Sequence, residues 1–412
     1  MKVVVVGAGI VGLATAYALA HRGAEVVVVG DRAPGSGASS NNAGWVVPSL
    51  AGPVPAPGVV LKTLRSMLRP DGAIFVQPSL APSFARFMWG MLRACNAATY
   101  ARSWAATAAL GQGTMEALDA WAADGMTFEM HAGGDLEAFL SRQEFDAALA
   151  GLDTSRRAGF DPQVLSGDEA RAMMPQLNDA IVGAVYFPHE RCVRPASVVD
   201  ALVTRLRAMG ATFADGAVTG GSRGADGKPR VTGAFGDIGA DAVVIAAGAW
   251  SPRVARLFGS RLPIRPGKGF SVDYVPGQLA GDVMLMLAEA HCVMTPLDGT
   301  TRVTGMMGFG GLDEQLIPAR VQAIRRAPAR YLRTWDPEAP SLPPTAGLRP
   351  MTPDGNAVIG RLAPHQDIYV ASGHAMLGLT LAPRTGQELA AMILDGGTPE
   401  LLRPFSPARF GA

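Results

Sequence analysis

The first thirty residues constrain this chain more than any others. Val3 to Val6 is wholly apolar and β-branched, the pattern of a parallel strand buried on both faces. Gly7-Ala8-Gly9-Ile10-Val11-Gly12 follows at once, then an Ala- and Leu-rich helical run from Leu13 to Arg22, which Gly23 stops in the C′ position. Val26 to Val29 is a second apolar strand. Alone, G-x-G-x-x-G is a weak signal, but between a strand and a helix its glycines have distinct tasks. Gly7 makes the tight turn, Gly9 lets a pyrophosphate approach the backbone, and Gly12 lets helix and strand pack closely. The N–H groups near Ile10 and Val11 then face phosphate at the positive end of the helix. An acid about 20 residues further on normally takes the ribose. Asp31 stands 19 residues after Gly12, with Arg32 next to it, but Gly30 occupies the strand end. Asp31 is therefore either the ribose partner or a solvated turn residue.

A chain of 412 residues exceeds what one core usually supports, so two domains are expected. From Ser36 to Gly58 the sequence is loop-like. Phe84, Phe87, Met88, Met91, Leu92 and Cys95 fall at helical spacing, and a second helical stretch covers about 105 to 123. Val198, Val199, Leu202, Val203 and Leu206 mark an amphipathic helix between Pro195 and Gly210. Apolar strands are expected at Ala242 to Ala247 and Ile368 to Ala371, the first running into Gly248. Residues 263–309 read as several strands of an antiparallel sheet, and Gly386 to Leu394 as a helix. The dinucleotide-like segments are thus interrupted twice by segments of different character.

Three further stretches add to the first motif: Ser39-Ser40-Asn41-Asn42-Ala43-Gly44, Gly347-Leu348-Arg349-Pro350-Met351-Thr352-Pro353-Asp354-Gly355, and Gly373-His374-Ala375-Met376-Leu377-Gly378-Leu379-Thr380. With them the chain resembles the FAD-dependent D-amino acid oxidase superfamily, and within it the bacterial D-amino acid dehydrogenases, over essentially its whole length. The resemblance implies an α/β fold. A discontinuous Rossmann-like FAD-binding domain (1–50, 195–262 and 340–412) would accompany an α+β substrate domain with an antiparallel sheet (51–194 and 263–339). It implies FAD as cofactor and oxidative deamination by hydride transfer from Cα to flavin N5, giving an imino acid and then a 2-oxo acid and ammonia. An oxygen-using oxidase of glycine, sarcosine or a cyclic or secondary amine is the nearest alternative, and a non-catalytic FAD-binding subunit an alternative of another class.

The arginine of the Gly-Leu-Arg-Pro motif binds the substrate carboxylate in that family, so Arg349 takes this role, read here as held in a rigid turn. The fork of a guanidinium matches a carboxylate bidentately and keeps its charge. His374 either lines the active site or is a hydrogen-bonded turn residue. Gly378, Leu379 and Thr380 are expected at the flavin ring, where a helix N-terminus would stabilise negative charge. Ser39, Ser40, Asn42 and Gly44 are expected at the pyrophosphate or flavin, Gly248 beside the adenosine and Val218 at the adenine. Lys268 in Gly267-Lys268-Gly269 faces either the flavin or solvent.

Composition removes other classes. Basic and acidic residues number 36 and 35, so nothing favours nucleic acid. Cys95, Cys192 and Cys292 are scattered without a CxxC, which points away from a disulfide framework and a zinc site, and no metal is expected. The methionines at 284, 286, 294, 306 and 307 read as core filler or an apolar substrate pocket. No apolar run reaches a membrane span, and the chain enters folded sequence directly after Met1-Lys2. The expected location is cytoplasmic, with peripheral contact at the inner face of a membrane through the Phe84–Cys95 helix as the alternative. The expected partners are an amino acid or amine and an electron acceptor, which is a quinone, an electron-transfer protein or oxygen.

Overall fold

In the computed structural model, described for residues 1–411 apart from 61–62, 64–71, 78 and 363–366, the valine runs form the centre of a six-stranded sheet. Its order is Thr212–Asp215, Glu25–Gly30, Lys2–Val6, Ala242–Ile245, Ile368–Ser372 and Val358–Arg361; all neighbours are parallel except the last pair. Both faces are covered, which is why these strands are continuously apolar rather than alternating. Val3, Val5, Val26, Val28 and Val244 pack under the helices Ile10–His21, Pro195–Ala208 and Gly378–Asp395. Val4, Val6, Val27, Val29, Val243 and Ile245 pack on the other side with Val231, Val254 and Phe258, from a small antiparallel sheet (Val218–Arg223, Pro229–Gly233, Gly236–Gly239) and the helix Ser251–Leu257.

Backbone approaches here exclude side chains. A Cβ on Gly12 would lie 2.0 Å from the Gly7 carbonyl oxygen, and one on Gly7, whose φ is +117°, 2.4 Å from that of Ala246. The helices Ile10–His21 and Gly378–Asp395 touch just as closely, since a Cβ on Gly386 would lie 2.6 Å from the Ala14 carbonyl oxygen.

The second sheet has nine strands. Its path runs Thr345–Met351, Arg265–Tyr274, Thr300–Phe309, Cys292–Leu297, Met284–Leu287, Asp135–Phe139, Gly183–Phe187 and Gln163–Ser166, and Ile74–Val76 pairs off the path with Thr300–Phe309. It is mainly antiparallel, as residues 263–309 suggested, with parallel pairings at Met284–Leu287 to Asp135–Phe139 and at Ile74–Val76. Met284, Met294, Met306 and Met307 are buried packing residues of this sheet.

Four sequence expectations change. The stretch from 105 to 123 is two helices, Ala97–Gly111 and Thr114–Ala123, because Gly113 adopts φ +76° and breaks them. Their Leu110, Leu118 and Trp121 belong to the core of the six-stranded sheet, although they lie in the 51–194 segment. The last long helix begins at Gly378, not Gly386, and continues through Pro383, which lacks the N–H to bond the preceding turn. Gly347 to Pro350 is strand, not turn, and it joins the nine-stranded sheet although the 340–412 segment was grouped with the other. Pro350 is tolerated in the ladder because it stands opposite Pro266, a pair with no N–H on either side.

Candidate active site

The carboxyl ends of four parallel strands open into one cleft. It encloses about 1590 Å³ of empty space, solvent at its mouth included. Val6–Val11, Val29–Ala33, Ala246–Trp250 and Ala371–Ser372 line it, the place where open α/β sheets bind ligands. The helix starting at Ile10 has no side-chain cap from Gly9; instead Ser39 Oγ accepts the Ile10 N–H at 2.9 Å. A Cβ on Gly9 would lie 3.2 Å from that same Oγ, so any longer side chain there would fill the space before the helix end. Asn42 holds the adjoining loop: its amide donates to the Ala38 and Ser39 carbonyls, and its Oδ1 accepts the Gly44 N–H at 2.6 Å.

Most of the expected residues meet here. Gly7, Gly9, Ile10, Val11, Asp31, Arg32, Ser39, Asn42, Val218, Gly248, Arg349, His374, Gly378 and Leu379 all line the cleft. Gly30 lines it too, and Asp31 beside it is exposed. Arg32 is tied elsewhere: its guanidinium pairs with Glu314, at 2.5 and 3.1 Å, and its Cζ lies 5.2 Å above the Trp250 ring.

Four expected residues do not line the cleft. Gly12 serves the helix–strand approach already described. Ser40 is a loop residue whose N–H donates to Gly35 and whose carbonyl accepts from Arg302. Gly44 is needed for its φ of +83°, where a Cβ would meet the Val193 carbonyl oxygen at 2.3 Å. Thr380 is fully buried; its Oγ1 accepts the Val47 N–H at 3.1 Å and donates to the Trp45 carbonyl, tying the last long helix to an early strand. Lys268 faces neither the cleft nor solvent: it is buried and paired with Asp313.

Arg349 extends from its strand opposite Gly267, and Nη1 donates to the Met306 carbonyl at 2.8 Å. No carboxylate pairs with it among the described residues. Burial without a counter-charge lowers its pKa to about 10. His374 is 3% exposed; Nε2 lies 3.1 Å from Thr385 Oγ1, and Nδ1 is buried with no partner among the described residues. Desolvation pulls its pKa down to about 3, so the ring is neutral at physiological pH. Around these two groups the wall is apolar: Leu348, Pro350, Ala375 and Met376. Sequence reasoning placed Ala247-Gly248-Ala249-Trp250 beside the nucleotide site without giving Trp250 a role, and it passed over Met306 as a hydrogen-bond partner. The second depends on strand register, which leaves no local trace.

A flavin dinucleotide fits these donors and acceptors. The first-turn N–H of Val11 has no intrahelical acceptor, that of Ile10 is held by Ser39 Oγ, Gly9 leaves the helix end clear, and His374 Nδ1 is an orphaned polar atom on the wall.

The chain belongs to the FAD dependent oxidoreductase family, whose pattern it matches over residues 2–392, and FAD is its cofactor. It is 34% identical, over 412 aligned residues, to the D-amino acid dehydrogenase of Cereibacter sphaeroides, covering 97% of this chain and 93% of that one. With the D-amino acid dehydrogenase of Xylella fastidiosa it shares 32% identity over 95% of this chain and 92% of the other. Among solved structures, glycine oxidase from Geobacillus kaustophilus superposes with a TM-score of 0.77 at 23% identity, covering 98% of each chain. L-proline dehydrogenase from P. horikoshii superposes with a TM-score of 0.74 at 20% identity, covering 99% of this chain and 97% of that one. At these identities the structures establish the shared fold. Among the described residues no helix is long and apolar enough to cross a membrane.

Proposed function

We propose that this protein oxidises the Cα–N bond of an amino acid, foremost a D-amino acid, releasing an imino acid that water converts to a 2-oxo acid and ammonia. The observation that carries this reading is Arg349, a desolvated guanidinium on the cleft wall with no acidic partner among the described residues. A partly buried cation without a counter-ion carries a desolvation cost, and an incoming carboxylate lowers that cost. The relatives named D-amino acid dehydrogenase, at 31–34% identity, support the choice of substrate.

FAD, when bound, supplies the two-electron acceptor. The chain supplies orientation and electrostatics. The N-terminus of Ile10–His21 receives the pyrophosphate, and that of Gly378–Asp395, which has no side-chain cap among the described residues, faces the ring with first-turn N–H groups that favour negative charge. Arg349 holds the carboxylate and so fixes which face of Cα is presented. Leu348, Pro350, Ala375 and Met376 keep water from the reacting carbon. His374, kept neutral by burial, offers a hydrogen bond from the wall through its orphaned Nδ1. The cofactor-binding unit comprises 1–50, 195–262 and 340–412, with the strand Thr345–Met351 contributed to the sheet of the substrate unit. Electrons leave to an acceptor other than oxygen, in keeping with the relatives' designation as dehydrogenases.

Anaerobic mixing of the FAD-loaded protein with D-amino acids, L-amino acids, glycine and N-methyl or cyclic amines tests the reading. Bleaching of the flavin band is expected with D-amino acids. Bleaching by amines that lack a carboxylate as readily as by amino acids refutes it. Reoxidation by a quinone analogue much faster than by oxygen is expected in the same apparatus.

A further inference from the structure

What aims the Arg349 guanidinium is the sheet beneath it. Thr345–Met351 pairs with Arg265–Tyr274, so that Arg349 stands opposite Gly267 and Gly347 opposite Gly269. On its other edge Arg265–Tyr274 pairs with Thr300–Phe309, and there the register breaks: Lys268 faces Gly308 while Phe270 faces Gly305. Met306 and Met307 therefore stand together against Gly269 alone, which is a β-bulge. Bulges of this type put their first residue in the left-handed region, normally as glycine. Here that residue is Met306 at φ +70°, a conformation L side chains avoid. Its carbonyl is the one that accepts Arg349 Nη1.

The glycine opposite completes the arrangement. A Cβ on Gly269 would lie 2.1 Å from Nη1 and 2.4 Å from both Cζ and Nη2 of Arg349. The guanidinium thus rests flat on the Gly269 backbone, with no room for even a methyl group. Gly267, two residues earlier on the same face, is different: a Cβ there would lie nearest the Met307 sulfur, at 2.7 Å, and the Met351 side chain, at 2.8 Å. With Nη1 held by the Met306 carbonyl, Nε and Nη2 have no hydrogen-bond partner among the described residues. One edge of the fork is anchored and the other is open.

We infer that Gly269 and the Met306 bulge form a socket that orients the Arg349 fork for the α-carboxylate of the substrate; this rests on the reading of Arg349 given above. Gly269 and Met306 are positioning residues, acting through Arg349. The sheet accepts an interrupted ladder, a methionine in the left-handed region and a cation without a counter-ion at one place, and their common product is a fork that cannot turn. A fork held in one orientation loses little freedom on meeting a planar carboxylate, which is how preorganisation raises affinity.

The test uses FAD-loaded protein, titrated with benzoate as a carboxylate probe through the flavin absorbance and with D-amino acids through anaerobic reduction. Gly269→Ala is expected to weaken both by roughly tenfold or more, the loss of one charge-assisted hydrogen bond, with FAD content unchanged. Gly267→Ala adds the same methyl group on the same face and should weaken them much less. Equal effects from the two glycine variants overturn the socket as mere sheet disturbance. If Gly269→Ala does not fold, Met306 decides. Met306→Val keeps more buried volume but resists the left-handed region, whereas Met306→Gly loses the volume and accepts the conformation. The socket requires tighter benzoate binding in Met306→Gly; packing alone requires it in Met306→Val, and that result overturns the proposal. Arg349→Ala separates this from the wider reading. If Arg349→Ala abolishes benzoate binding while Gly269→Ala does not change it, the socket fails and the carboxylate role stands. If Arg349→Ala leaves benzoate binding intact, the carboxylate role itself fails.

Discussion

Replacing Arg349 by methionine should stabilise the fold, or leave it unchanged, while disabling the site. Methionine fills most of the same space without the charge. Burial lowers the arginine pKa from 12.5 to about 10, and at about 1.36 kcal/mol per unit this is a desolvation cost of about 3 kcal/mol. Part of the side chain stays open to the cleft, so this figure is a ceiling. Against it stands the Met306 carbonyl, which loses its Nη1 donor at a cost of about 1–3 kcal/mol. The net runs from about zero to 2 kcal/mol in favour of Arg349→Met. With an unfolding entropy of about 2.1 cal/mol/K per residue over 412 residues, that is a Tm between unchanged and about 2 °C higher. A structural arginine with a buried ion-pair partner would behave oppositely, losing about 3–5 kcal/mol on truncation. Carboxylate affinity should fall at least about 10- to 150-fold, the worth of one hydrogen bond between charged groups. Calorimetry of the FAD-loaded protein and anaerobic titration with a D-amino acid measure the two quantities. A Tm lower by 3 °C or more, on the entropy just used, together with unchanged half-saturation would show that Arg349 is structural.

Other consequences are open to test. Gly9→Val should yield protein largely free of FAD, because the side chain fills the approach to the Ile10 helix end; full flavin occupancy on purification would refute the placement of the pyrophosphate. Thr380→Val should cost about 1–3 kcal/mol of stability, since the buried Val47 N–H loses its acceptor, yet leave FAD affinity unchanged in a flavin-fluorescence titration. Burial raises the Glu190 carboxyl to about 7, with Ser49 opposing through hydrogen bonds, and the neighbouring Asp135 and Glu137 are raised in the same direction. A raised carboxyl favours the fold fully below the ordinary value of 4.5, and that stability is lost as pH rises through 7. Glu190→Gln keeps an acceptor for the Ser49 N–H and should recover up to about 3 kcal/mol at pH 8 but little at pH 5; equal Tm changes at both pH values would count against it.

The sequence discloses what is contiguous. The strand, glycine turn and helix from Val3 to Arg22 can be read residue by residue, because each glycine answers a local backbone need. The two apolar strands near 242 and 368 could be assigned to the same sheet because they show the same continuous apolar pattern. Arg349 was recognisable as a site residue but not as a strand residue. Pro350 suggests a turn until Pro266 is found opposite it, 84 positions away. Hydroxyls misled for a similar reason. Ser39 and Thr380 look alike in sequence, yet one caps the helix at the cleft and the other ties a helix to a strand beneath it. The bulge at Met306 could not be read at all, since it exists only as a mismatch between two strands.

The contact between Gly386 and Ala14 has a wider consequence. The two helices that meet there, Ile10–His21 and Gly378–Asp395, both begin at the cleft, so they are the two jaws of a caliper whose pivot is bare backbone. Side chains at a pivot can change rotamer and let the jaws drift; a carbonyl against a glycine Cα cannot. The gap between the two positive ends is therefore held by a backbone contact as well as by side-chain packing. A methyl group at position 386 would meet the Ala14 carbonyl at 2.6 Å, so one of the two helices would have to shift.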